Sequence, residues 1–130
     1  MTRVQNQTIL LAEDDRSARE VTAMVLEAEG YRVLTASDGT EALKILLHDA
    51  SIELLLSDIH MSGGIDGIDL AQRARLNRPL RIVLISGDPR DSFAHFPDKV
   101  AFLPKPYDRR SLLQAVAGAL LNSGPAERTP

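Results

Sequence analysis

The chain alternates short apolar runs with amphipathic helical patterns, and this alternation narrows the accessible folds more than any other feature. Apolar runs occupy residues 8–12, 31–35, 52–57, 80–85 and 100–103. Their length is that of strands, and the near-continuous apolar character of three of them fits strands covered on both faces. Between them, Val21, Met24, Val25 and Ala28 recur at helical spacing within residues 16–29, with Asp15 as N-cap and Gly30 as the stop. Ala42, Leu43, Leu46 and Leu47 mark a second helix capped from Ser37-Asp38. Ile68, Leu70, Ala71 and Ala74 mark a third after Gly67, and Leu112, Leu113, Val116, Ala117 and Leu120 mark the last. Residues 88–98 carry Pro89, Phe93, Phe96 and Pro97, so only a turn or two of helix is expected there. Strands each followed by a helix require parallel pairing and right-handed crossovers. The expectation is an α/β domain with a doubly wound parallel sheet, whose functional site lies at the carboxyl ends of the strands.

At 130 residues the chain reads as one domain over 1–121, followed by a flexible tail at 122–130 containing Ser123, Gly124, Pro125 and Pro130. A net charge of -3 gives no support to nucleic-acid binding. The basic residues Arg73, Arg75, Arg78, Arg81, Arg109 and Arg110 are scattered, which reads as solvated surface. The absence of cysteine excludes disulfides and thiolate metal sites. Neither a leader pattern nor a membrane-spanning apolar run is evident, so a cytoplasmic location without membrane contact is expected.

The chemistry collects at the strand ends. Glu13, Asp14 and Asp15 follow the first run, Asp58 the third, Ser86-Gly87-Asp88 the fourth, and Pro104-Lys105-Pro106 the fifth. In a parallel sheet these ends share one edge. Like charges about 4 Å apart repel by roughly 4 kcal/mol at an effective dielectric near 20, so the carboxylates must be protonated, paired or metal-bound. Oxygen ligands without an imidazole or thiolate set favour a hard cation, Mg2+. Asp15 suits helix capping and Asp14 the metal.

Four pieces, ILLAEDD, LLLSD, VLISG and FLPKPY, stand in this order at the ends of strands one, three, four and five. Together they make the chain resemble the receiver domain of two-component response regulators over about residues 8–121. The resemblance implies a flavodoxin-like (βα)5 fold with strand order 2-1-3-4-5 and a shortened fourth helix. It makes Asp58 the phosphoacceptor, and Glu13, Asp14, Asp58 and the backbone carbonyl of His60 the Mg2+ ligands. Lys105 would pair with a phosphate oxygen, and Ser86 would hydrogen-bond the phosphoryl group. Phe102 would be an aromatic switch that follows Ser86. His60 and Asp88, two residues beyond Asp58 and Ser86, would tune phosphoryl lifetime, and Lys105-Pro106 would be cis.

The chain departs from the family pattern where Ser62 replaces a proline, in a loop one residue longer through Gly63-Gly64. Gly87 stands where alanine is common, and the span from Ser86 to Lys105 is short. The first departure questions the rigidity of the loop, and the last implies an unusual partner surface. The expected function is a stand-alone, non-enzymatic switch phosphorylated by a histidine kinase or histidine phosphotransfer protein. Its output would be contact with a downstream protein, without nucleic acid, and with a homodimer left open. The alternative is a pseudo-receiver that binds its partner constitutively. An aspartate-nucleophile hydrolase needs an acid two residues after the nucleophile, where His60 stands.

Overall fold

The computed structural model describes residues 7–121; the tail expected at 122–130 lies outside them. Ten elements run β1 (Thr8–Ala12), α1 (Arg16–Ala28), β2 (Arg32–Ala36), α2 (Gly39–His48), β3 (Ile52–Asp58), α3 (Gly67–Asn77), β4 (Arg81–Ser86), a 3-10 turn (Arg90–Ser92), β5 (Ala101–Pro104) and α4 (Arg109–Leu121). All strand pairs are parallel, in the order β2-β1-β3-β4-β5. The expected doubly wound sheet is therefore present, with its reversal of strand order between β1 and β3.

The three inner strands are those with the most continuous apolar sequence. β1 is buried throughout, and in β3 and β4 a single residue each, Glu53 and Arg81, escapes full burial. Alternate side chains feed two cores, as the pleat requires. Leu10, Leu55, Ile82 and Leu84 pack with Ala42, Leu46, Leu70 and Ala74 from α2 and α3. Ile9, Leu11, Leu54, Leu56 and Ile85 pack with Leu26, Leu112 and Val116 from α1 and α4. Continuous burial of such strands, at roughly 25 cal/mol per Å2 of apolar surface, makes them a stiff platform for whatever follows their last residue.

Aspartates start three of the helices, Asp15 and Asp38 as expected and Asp66 in addition. Asp15, Asp38 and Asp66 each accept the N–H three residues on, from Ala18, Glu41 and Asp69 respectively. Gly30, at φ 106°, turns the chain out of α1.

Three expectations need correction. The buried face of α1 is carried by Thr22 and Leu26, while Val21 and Met24 are 60% and 66% exposed. The Thr22 hydroxyl lies 2.9 Å from the Tyr107 hydroxyl, so a polar residue sits inward because it has a partner. Leu47 of α2 is likewise exposed. Arg75 and Arg78 are not merely solvated. Arg75 donates to the carbonyls of Asp98 and Lys99, and Arg78 to those of Leu46, Asp49 and Ile52.

The shortened fourth helix is reduced to its limit, a single 3-10 turn at Arg90–Ser92. Beyond the turn's own N–H bonds, from Ser92 to the Pro89 carbonyl and from Phe93 to the Arg90 carbonyl, side-chain contacts hold this segment. The Arg90 guanidinium lies 4.6 Å from the Phe96 ring centre, and Phe96 meets Phe102 edge-on at 5.7 Å. The carbonyl contacts from Arg75 fix its far end. Among the described residues no helix is long and apolar enough to cross a membrane.

Candidate functional site

At the carboxyl edge of the sheet, β1 and β3 lie side by side, with Ala12 opposite Ser57. The residues that follow, Glu13-Asp14 and Asp58, are therefore neighbours by register alone. Carboxylate oxygens of Glu13, Asp14 and Asp58 all lie within 4.8 Å of one another. Glu13 and Asp58 are buried, each 5% exposed, whereas Asp14 is exposed. β5 brings Lys105 to the same edge. Its ammonium is 3.0 Å from Asp58 Oδ1 and 3.2 Å from Oδ2.

Local bonding fixes each group. The Glu13 N–H bonds the Ala36 carbonyl at 3.1 Å. Its carboxylate accepts the Asp15 N–H at 3.0 Å, and its carbonyl accepts from Arg19. The end of β3 is held by the Ile59 N–H on the Ile85 carbonyl and by the Gly67 N–H on the Ile59 carbonyl, both 2.8 Å. The first turn of α3 thus lies backbone to backbone against Asp58. A Cβ at Gly67 would collide with the Asp58 carbonyl and approach the Ile59 Cα to 2.8 Å.

The electrostatics carry the mark of crowding. Burial pushes the Asp58 carboxyl above its ordinary value, against the opposing pull of the Lys105 hydrogen bond and charge. Burial likewise raises Glu13, opposed by the Asp15 N–H and reinforced by the charge on Asp58. For Lys105 burial acts downward, but the bond and charge of Asp58, helped by Glu13 and Tyr107, outweigh it and the net shift is upward. Asp14 is lowered, chiefly by the Ser62 N–H. Two buried carboxylates raised by burial stand beside an exposed third lowered by its hydrogen bonds, and together they make an oxygen-only donor set. The donor set fits Mg2+, which typically takes one or two carboxylates and keeps its remaining positions for water and phosphate.

The remaining predicted residues divide. Ser86 is buried at the end of β4, its carbonyl bonded by the Lys105 N–H and its hydroxyl accepting the Asp88 N–H at 2.9 Å. Phe102 is half-buried and pairs in register with Leu84, two residues before Ser86, so both point to the same face of the sheet. His60 and Asp88 are brought together, Nε2 to Oδ2 at 2.9 Å, and the imidazole also lies 5.7 Å from the Phe93 ring. The Lys105-Pro106 bond is cis, as expected. One residue of the site, Ser62, was read from the sequence only as a deviation. Its N–H and hydroxyl both donate to Asp14 Oδ2, at 3.0 and 3.2 Å. Only its place four residues after Asp58 hinted at this.

A doubly wound α/β domain with an acidic trio and one ammonium at its switch point defines a class of phosphate- and cation-handling domains. The chain belongs to the response regulator receiver domain family, whose model matches residues 9–117. It is 34% identical over 122 residues to the transcriptional regulatory protein GlrR of Escherichia coli K12, an alignment covering 91% of this chain and 27% of that protein. The chain thus spans about a quarter of that curated relative. Among solved structures, the receiver domain of the hybrid histidine kinase CckA is 39% identical with a TM-score of 0.73, covering 87% of this chain and 98% of that one. A response regulator receiver protein from Sinorhizobium medicae WSM419 is 29% identical with a TM-score of 0.85, covering 94% and 100%. Receiver domains of response regulators are signalling domains phosphorylated by histidine kinases, and they generally bind Mg2+ at an acidic pocket. Family membership therefore implies phosphorylation-dependent signalling.

Proposed function

We propose that this protein is a signalling switch that accepts a phosphoryl group on Asp58 from a histidine kinase or a histidine phosphotransfer protein. The observation that carries this reading is the juxtaposition of a buried carboxylate with a lysine ammonium at 3.0 Å and two further carboxylates within 4.8 Å. In the transfer, an Asp58 carboxylate oxygen attacks phosphorus as the bond from phosphorus to the donor imidazole nitrogen breaks. The imidazole leaves with the electron pair and takes a proton from solvent. The Lys105 ion pair favours the carboxylate form of Asp58 that attack requires.

Glu13, Asp14 and Asp58, with the His60 carbonyl, would hold Mg2+, which when bound offsets negative charge on the transferring group. Lys105, already at bonding distance from both Asp58 oxygens, moves onto a phosphoryl oxygen. The Ser86 hydroxyl accepts the Asp88 N–H and donates its own O–H to the phosphoryl group, and Phe102 follows it on the same face of the sheet. The paired His60 and Asp88 side chains flank the attack path and set how long the acyl phosphate survives. Output is contact with a downstream protein, through the shift of a pre-existing equilibrium that phosphorylation biases.

The test is incubation with a small acyl-phosphate donor and Mg2+. The wild type gains an acid-labile label and Asp58→Asn gains none. Label retained by Asp58→Asn refutes the assignment. An unlabelled wild type that still binds its partner favours a pseudo-receiver.

A further inference from the structure

The loop between β3 and α3 is tied to the end of β1 by Ser62. Two donors of this one residue converge on one oxygen of Asp14, the backbone N–H at 3.0 Å and the hydroxyl at 3.2 Å, across 48 residues of chain. The loop is shaped to present them. Gly63 and Gly64 follow at φ 68° and 122°, in the left-handed region that other residues enter only with strain. Gly64 lies close enough to the Thr40 hydroxyl that no Cβ would fit, and Gly39 is similarly pressed against Ile65. The loop is therefore clamped between the start of α2 and the end of β3, with Ser62 facing Asp14.

We propose that Ser62 is a positioning residue for the cation site, holding the Asp14 carboxylate in one rotamer beside Glu13 and Asp58 before the ion arrives. The proposal rests on the reading of those three residues as a Mg2+ site. Asp14 is exposed, unlike its two companions, and an exposed carboxylate that must be immobilised on ligation loses rotamer freedom at that moment. Charge-assisted bonds to a carboxylate are among the stronger hydrogen bonds, and two of them on a single oxygen fix the group in advance. Preorganisation of this kind lowers the cost of binding. Competition between the donors and the ion for the same oxygen would have the opposite sign, so the direction of the effect decides.

The experiment is calorimetric titration of Mg2+ into the full chain as wild type, Ser62→Ala and Ser62→Thr, with thermal melts of each in EDTA. Ser62→Ala removes the hydroxyl bond and keeps the N–H bond. It is expected to weaken Mg2+ binding about three- to ten-fold, equivalent to ~0.7–1.4 kcal/mol. Ser62→Thr keeps the hydroxyl and is expected to stay within about two-fold of the wild type. A purely structural serine would lower the EDTA melting temperature in Ser62→Ala and leave the Mg2+ affinity where it was. Unchanged or tighter Mg2+ binding by Ser62→Ala, with the wild type binding normally, overturns the proposal alone. A wild type that takes up no Mg2+ overturns the cation site and this proposal together.

Discussion

Replacing Asp58 by asparagine should stabilise the chain when divalent ions are removed, although it deletes an ion pair. The Asp58 side chain is 7% exposed, with Lys105 at 3.0 Å and the carboxylates of Glu13 and Asp14 within 4.8 Å. At an effective dielectric near 20, repulsion from Glu13 at that separation is about 3.5 kcal/mol. Asp14 is exposed, so its share is nearer ~1 kcal/mol. Attraction to Lys105 is at most about 5.5 kcal/mol, reduced because the lysine side chain is 41% exposed. Attraction and repulsion therefore nearly cancel, leaving the desolvation of a buried carboxylate, which the rise of its pKa also reports. An asparagine still accepts from Lys105 and avoids that cost, for a net gain on the order of 1–2 kcal/mol. For a domain of this size the gain is a rise of roughly 3–8 °C in melting temperature. The assay is thermal unfolding followed by circular dichroism, in EDTA and then with Mg2+. The wild type should gain stability from Mg2+ by mass action, and the variant should gain little. A lower melting temperature for Asp58→Asn in EDTA would mean that the lysine pair dominates, and the reasoning would fail.

Gly67→Ala should cost about 1–3 kcal/mol or more in urea unfolding, because its Cβ meets the backbone of Asp58 and Ile59 rather than a movable side chain. Arg78→Met should lower the urea midpoint by an amount equivalent to about 1–3 kcal/mol, since the carbonyls of Leu46, Asp49 and Ile52 lose their donor. Arg78→Lys should not restore it, as an ammonium cannot reproduce the guanidinium fork. Burial raises the Tyr31 phenol above its ordinary 10.0, so ionisation is easier in the unfolded chain. Stability is therefore whole below pH 10.0 and falls as pH rises from there toward the folded value. Unfolding curves at alkaline pH should be flatter for Tyr31→Phe, and equal slopes for both proteins would refute the assignment to this residue.

The strand ends were legible because each catalytic candidate directly follows a buried apolar run, and register in a parallel sheet then brings the ends together. Asp58 after Leu54, Leu55 and Leu56 is the plainest case. Helix caps at Asp15 and Asp38 were equally local and equally readable. What escaped depends on partners far away in the chain. The inward face of α1 includes Thr22, whose hydroxyl partner belongs to Tyr107, so hydrophobic periodicity alone chose the wrong residues in Val21 and Met24. Arg78 counted as one of several scattered bases until the carbonyls of Leu46, Asp49 and Ile52 converged on it. Ser62 read as a lost proline because nothing within its own segment reveals that Asp14 waits 48 residues earlier. The shortening of the fourth helix was visible in Pro89 and Pro97. The aromatic contacts that replace it, Arg90 on Phe96 and Phe96 on Phe102, were not.

The most direct measurement is chemical mapping of the phosphoryl group. The chain is phosphorylated by a small acyl-phosphate donor with Mg2+ and reduced with borohydride, which converts an aspartyl phosphate to homoserine. Mass spectrometry of the peptides should place homoserine at position 58 and leave positions 13 and 14 intact. Homoserine at another aspartate, or none at position 58 in a chain that carries acid-labile phosphate, would contradict the account.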